Sequence, residues 1–114
     1  MEAKAVNRYI GSSPRKMRLV VDLIRGVSVE KALEVLHFSP KHASKDAEKT
    51  LRSAVSNIMN LDDSTRVDPA DLYIKEAFVN QGPTLKRISP APMGRAYRIR
   101  KRSCHLTIVV ATKV

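Results

Sequence analysis

Residues 82–105 read Gly-Pro-Thr-Leu-Lys-Arg-Ile-Ser-Pro-Ala-Pro-Met-Gly-Arg-Ala-Tyr-Arg-Ile-Arg-Lys-Arg-Ser-Cys-His, and they constrain the fold more than any other stretch. They carry seven Lys or Arg and no acidic residue, and prolines and arginines scatter the apolar positions too widely for a core. Such a segment cannot be packed inside a small domain. It projects from one, and something outside the chain must neutralise it.

The charge is unevenly placed. Up to Glu76, the last acidic residue, 13 basic side chains face 11 acidic ones; beyond it there are eight basic and none acidic, so the final third supplies +8 of the net +10. The polyanion this implies is RNA, DNA or an anionic membrane surface. The membrane reading is the weakest, because no apolar run approaches the roughly 18 residues of a spanning helix and the first residues lack the apolar centre of a signal peptide. With 114 residues and 43% hydrophobic content, the chain has material for one modest core. The absence of Trp makes that core aliphatic, and a single cysteine excludes an intrachain disulfide and fits a reducing cytosol. One domain over residues 1–114 is expected, with an excursion over about 82–104.

Taken in order, residues 3–10 read as a short strand. Ser13-Pro14 is a cap followed by a first-turn proline, and Met17, Val20, Val21 and Ile24 then repeat at helical spacing up to Gly26, a left-handed cap. Arg15, Lys16, Arg18 and Arg25 flank that stripe, with Asp22 one turn after Arg18 and expected to offset it. Ser28 opens a second helix to about Leu36, over which Phe38 is expected to close the core. Ser39-Pro40 repeats the cap signal for a third helix, from Pro40 to about Asn60, with Ala43, Ala47, Leu51, Ala54, Val55 and Ile58 on its apolar side. Lys41, Lys45, Lys49 and Arg52 form another side, either solvated or facing RNA.

Residues 61–69 are an acidic, turn-rich connector. From Asp71 the period changes to two, with Leu72, Ile74 and Phe78 expected on one side of a strand and Tyr73, Lys75, Ala77 and Val79 on the other. Gly82-Pro83 marks a break or bulge, since proline is excluded from a central strand. Residues 89–94 form a tip in which Gly94 is available for a positive φ. On the return, apolar residues fall at odd positions (Tyr97, Ile99) and then at even ones (Cys104, Leu106, Ile108, Val110), so a bulge or strong twist is expected at 101–103. That point divides the domain's sheet from the projecting ribbon. An isolated two-stranded ribbon is marginal in water, so its ordering and its binding are expected to be coupled.

Enzyme chemistry finds no residues to carry it. His37, His42 and His105 with one cysteine lack any metal-ligand spacing, the four glycines form no phosphate loop, and Cys104 sits in an apolar alternation as a buried thiol would. No metal or cofactor is expected, and Asp62 and Asp63 read as solvated.

Three separated blocks resemble one family: Ser13-Pro14-Arg15-Lys16-Met17-Arg18-Leu19-Val20 with Asp22-Leu23-Ile24-Arg25-Gly26; Gly82-Pro83-Thr84-Leu85-Lys86-Arg87; and Gly94-Arg95-Ala96 with Lys101-Arg102-Ser103-Cys104-His105-Leu106-Thr107-Ile108. Together, in this order, they are similar to the bacterial and organellar ribosomal protein L22 (uL22) family. The resemblance implies an α+β fold, three helices packed on a small three-stranded antiparallel sheet with a long protruding β-hairpin. It implies a structural component of the cytoplasmic large ribosomal subunit that binds 23S-type rRNA in several domains and assists its assembly. Neighbouring large-subunit proteins and the nascent polypeptide in the exit tunnel are the other partners it implies.

Charge and resemblance together make Arg8, Arg15, Lys16, Arg18, Arg25, Lys86, Arg87, Arg95, Arg98, Arg100, Lys101, Arg102 and His105 the candidate rRNA contacts. Ile88, Ser89, Pro90, Ala91, Pro92, Met93 and Gly94 are the candidate tunnel tip, less charged here than the Arg-rich tip common in the family. The rival reading is a free basic adaptor that grips double-stranded nucleic acid or an acidic protein.

Overall fold

Ser13 caps the first helix, α1 (Pro14–Val21), its hydroxyl oxygen accepting from the Lys16 amide at 3.4 Å while Pro14 occupies the first turn. The computed structural model describes residues 2–60, 69–90 and 92–112; Ala91 and residues 61–68 of the acidic connector lie outside them. Helix α1 ends three residues before the expected Ile24. The Leu23 and Ile24 amides bond back to Val20 and Val21, which tightens the chain into a turn that still delivers Ile24 to the core. Gly26 closes it at φ +72°.

Helix α2 (Val29–His37) follows the Ser28 boundary, and α3 (Ala43–Met59) is the longest. It starts at Ala43 rather than Pro40, because the Ser39 hydroxyl oxygen accepts from the Lys41 amide at 3.3 Å and is spent on a turn instead of a helix cap. The alanines of α3 let it lie close on the sheet: Ala47, Leu51, Ala54 and Ile58 are fully buried. Phe38, expected to close the core, is 80% exposed at the end of α2, with its ring edge-on to His37.

Five strands complete the chain: β1 (Glu2–Ile10), β2 (Leu72–Gln81), β3 (Leu85–Pro90), β4 (Ala96–Lys101) and β5 (Cys104–Thr112). β1, β5 and β2 make an antiparallel sheet in that order, with β5 central; β3 and β4 make a separate two-stranded ribbon. All three helices pack on one face of the sheet, α3 over β1 and β5, α1 over β2, and α2 against α3. Leu72, Ile74, Leu106, Ile108 and Val110 meet Met17, Val20, Leu36 and Leu51 in one aliphatic core, each such side chain contributing about 1.5–3 kcal/mol when fully buried.

Both edge strands carry a bulge against β5. On β2, Ile74 pairs with Val110 and Glu76 with Val109, so Lys75 is the extra residue and the inward phase changes from even to odd. Ala77 and Val79 therefore enter the core, and Phe78, expected beside Leu72 and Ile74, points to the other face at 40% exposure. On β1, Asn7 pairs with Leu106 and Ile10 with Cys104, so Arg8 and Tyr9 together oppose His105. Tyr9 accommodates this at φ +59°.

Where a bulge or strong twist is expected, at 101–103, the strand is interrupted. β4 ends at Lys101, β5 begins at Cys104, and across the junction the Gly82 amide donates to the Ser103 carbonyl at 2.9 Å. A Cβ on Gly82 would stand 2.6 Å from Ser103 Oγ, so a larger residue here would have to displace that hydroxyl, which donates to the Pro83 carbonyl. Beyond the junction the ribbon projects: the radius of gyration is 17.3 Å and the longest dimension 67 Å, against about 13 Å expected for the radius of a compact chain of this length.

Candidate nucleic-acid interface

The ribbon is an antiparallel strand pair tied at its base by the Ser103 hydroxyl, which donates to the Pro83 carbonyl at 2.6 Å. Leu85 pairs with Lys101, Lys86 with Arg100, Arg87 with Ile99, Ile88 with Arg98, Ser89 with Tyr97 and Pro90 with Ala96. Directly opposed residues share a face, so one face carries Lys86, Arg100, Ile88 and Arg98, and the other Leu85, Lys101, Arg87, Ile99 and Tyr97. Lys86, Arg100 and Arg102 also line a single groove at the ribbon's base, together with Gln81 and Thr84. Nothing on the ribbon offsets this charge, since no Asp or Glu follows Glu76. Like charges in direct opposition destabilise a strand pair, and a phosphate between them turns repulsion into attraction.

At the tip, Met93 and Gly94 both have positive φ, at 63° and 70°. Met93 is 96% exposed and Ile88 76%, so the end of the ribbon presents apolar surface flanked by the arginines at 95 and 98.

The remaining candidates fall into two other places. Arg15 and Lys16 are exposed in the first turn of α1, and Lys16 faces Lys41 and His42 across a cleft between the starts of α1 and α3. Cations are unfavourable at a helix N-terminus, so these charges do not serve the helix. Arg18 and Arg25, by contrast, have work inside the fold. Arg18 Nη2 donates to the Val79 carbonyl at 3.2 Å and Arg25 Nε to the Ala77 carbonyl at 2.8 Å. These are carbonyls on the free edge of β2, which would otherwise be open to pairing. Asp22 is paired with Arg25 and not with Arg18 as expected, because Arg25 is the cation brought back over it by the turn after α1.

Arg8 and His105 lie on the sheet face opposite the helices, with Lys4, Val6, Tyr9, Phe78 and Thr107. His105 Nδ1 accepts the Tyr9 amide at 3.0 Å, and the two rings meet edge to face with centroids 5.0 Å apart. Sequence reading passed over Tyr9, although the signal was present. Ala5 and Ile10 are both buried but differ in parity, the same phase change that located the junction at 101–103.

Cys104 is fully buried, and burial pushes its thiol above the ordinary range, so it stays protonated and unreactive. Among the described residues no three His, Cys, Asp or Glu side chains converge as metal ligands, and no helix is long and apolar enough to cross a membrane.

The family model for ribosomal protein L22p/L17e matches residues 5–111. The chain is 57% identical over 112 residues to the large ribosomal subunit protein uL22 of Chlorobium phaeobacteroides (strain BS1), covering 98% of this chain and 96% of that protein. It is 56% identical to the uL22 of Chlorobaculum tepidum and 58% to that of Chlorobium chlorochromatii, each over 96% of this chain and 92% of the relative.

Proposed function

The chain belongs to the ribosomal protein L22p/L17e family, and on that premise we propose that its ribbon binds 23S-type rRNA and lines the path of the nascent polypeptide. It is a structural ribosomal protein and not an enzyme: it binds rRNA, takes part in large-subunit assembly and contributes to the exit tunnel. The observation that carries the finer reading is the ribbon itself, seven cations without an acidic neighbour projecting from a domain that has no use for them.

The mechanism is counterion release with hydrogen bonds to phosphate. The major groove of A-form RNA is too narrow for side chains to read bases, so a protein seated on one folded RNA is held by shape and charge. Lys86, Arg87, Arg95, Arg98, Arg100, Lys101 and Arg102 contact phosphates from several rRNA domains, the planar guanidinium groups bridging separate strands. Arg15 and Lys16 add a second contact at the start of α1, and neighbouring large-subunit proteins meet the body. The tip residues Ile88, Ser89, Pro90, Pro92, Met93 and Gly94 border the nascent chain, in the cytoplasmic large subunit.

The test is the salt dependence of binding by the isolated protein to protein-free large-subunit rRNA. Replacing Arg98, Arg100 and Arg102 together by Ala should reduce the log–log slope by roughly 2–3, since each phosphate contact contributes about 0.7–0.9. An unchanged slope would remove these residues from the interface. Retention on large subunits through a moderate salt wash separates this reading from a free basic adaptor.

A further inference from the structure

We propose that the uncovered face of the sheet, at the corner formed by Tyr9 and His105, stacks an unpaired nucleobase of the RNA. The proposal rests on the rRNA-binding reading above and adds a second kind of contact to it, aromatic rather than ionic.

Four observations converge on this corner. The bulge in β1 turns Arg8 and Tyr9 together onto the outer face, where a regular strand would send one of them inward. Tyr9 holds a positive φ of 59° there, a conformation that glycine adopts freely and an aromatic residue does not. Strain kept at an exposed aromatic position points to a use for the ring. The second observation is that His105 fixes the ring's position: its Nδ1 accepts the Tyr9 amide and its imidazole meets the Tyr9 ring edge to face. Tyr9 is nonetheless 70% exposed as a residue, which leaves room for a flat partner against its side chain.

Third, the surface beside the ring is apolar and in register. Val6, Thr107 and Phe78 form one cross-strand row, with Val6 43% and Phe78 40% exposed, and no helix covers them. Fourth, the corner is cationic and continuous with the ribbon. Arg8, Lys4 and His105 line the same surface with one carboxylate, Glu76, and neither Arg8 nor Lys4 makes an ion pair with a described residue. His105 lies against Gly82, the close-approach glycine from which the ribbon departs, and Arg102 is three residues away in sequence. A strand whose phosphates follow the ribbon base therefore reaches Tyr9 with Arg8 ready for its next phosphate. Aromatic rings on an open sheet face beside cations are the arrangement that single-stranded RNA bases stack upon. An acidic protein segment would use Arg8 and Lys4 but would leave the Tyr9 ring without a purpose.

The experiment compares Tyr9→Phe, Tyr9→Gly and wild type in the full chain, using protein-free large-subunit rRNA as the probe. Tyr9→Gly removes the ring and also relieves the positive φ, so its denaturation midpoint should equal or exceed that of wild type. Its affinity should nevertheless fall about tenfold, at an unchanged salt slope, because a stack and not a charge is lost. Tyr9→Phe should bind within about twofold of wild type, since the ring and not the hydroxyl does the stacking. Ultraviolet crosslinking of the wild-type complex should leave a nucleotide on the tryptic peptide of residues 9–15. Wild-type affinity in Tyr9→Gly, with adducts confined to ribbon peptides, would overturn the proposal while leaving the ribbon reading intact. Unchanged RNA affinity in Tyr9→Gly with weakened uptake of large-subunit proteins would overturn it too, and would assign the corner to a protein neighbour. If wild type itself bound rRNA without salt dependence, the ribbon reading would fall and this inference with it.

Discussion

Lys86 and Arg100 stand directly opposite each other across the two-stranded ribbon, cation against cation, in a segment with no acidic residue to separate them. A pair like this works against the free ribbon and in favour of the bound one. Lys86→Ala should therefore slow amide hydrogen exchange through β3 and β4 in the free protein, yet lower the rRNA salt slope by roughly 0.7–0.9. Faster exchange in the variant would show that the pair is not repulsive.

The same logic couples ordering to binding. Protease should cut the free protein between Lys86 and Arg102 and spare that segment on rRNA, since a ribbon of six residues a side has no core beneath it. Equal protection in both states would contradict the coupling.

Arg25 ties the turn after α1 to the edge of β2 through the Ala77 carbonyl and Asp22. Arg25→Ala should lower the stability of the free protein by about 1 kcal/mol, a charged hydrogen bond discounted for its partial exposure. Denaturant titration without RNA isolates this effect from any role of Arg25 in binding.

Residues four apart on β2 should behave oppositely because of the bulge at Lys75. Ile74→Ala, inside the core, should cost about 2–4 kcal/mol. Phe78→Ser, on the open face, should cost less than about 1 kcal/mol. Comparable losses in thermal unfolding would mean that the phase change along β2 is misplaced.

Two paired carboxylates contribute modestly to the acid side of the stability profile. The Arg52 guanidinium holds Glu48 below the usual carboxylate range, and the Lys75 ammonium does the same for Glu2. A lowered folded value means that each contribution is present above the ordinary carboxylate range and is lost as pH falls through the lowered value. Lys75, raised by Glu2, contributes below the ordinary lysine range and loses that contribution as pH rises through its folded value. Glu48→Gln should shallow the acid-side decline of the denaturation midpoint, and added salt should shrink the difference, as expected for exposed pairs.

The sequence by itself determined the parts that depend on local chemistry. Ser13-Pro14 started α1, the even-position run from Cys104 marked β5, and a ribbon of arginines with nothing acidic nearby could only project. The tertiary structure decided what depends on pairing between distant segments. Whether Phe78 or Val79 entered the core turned on a one-residue bulge against β5, and the period-two pattern of β2 alone carries no record of its partner's register. Ser39 and Pro40 looked like a helix start, but the hydroxyl was taken by a nearer amide. Arg25 looked like a free cation, and Arg18 like one offset by Asp22, until the edge of β2 came beside both with its carbonyls. Charge and capping are properties of neighbours in the chain; register, and the side chains it turns outward at Tyr9 and Phe78, is a property of strands that meet only once the fold has formed.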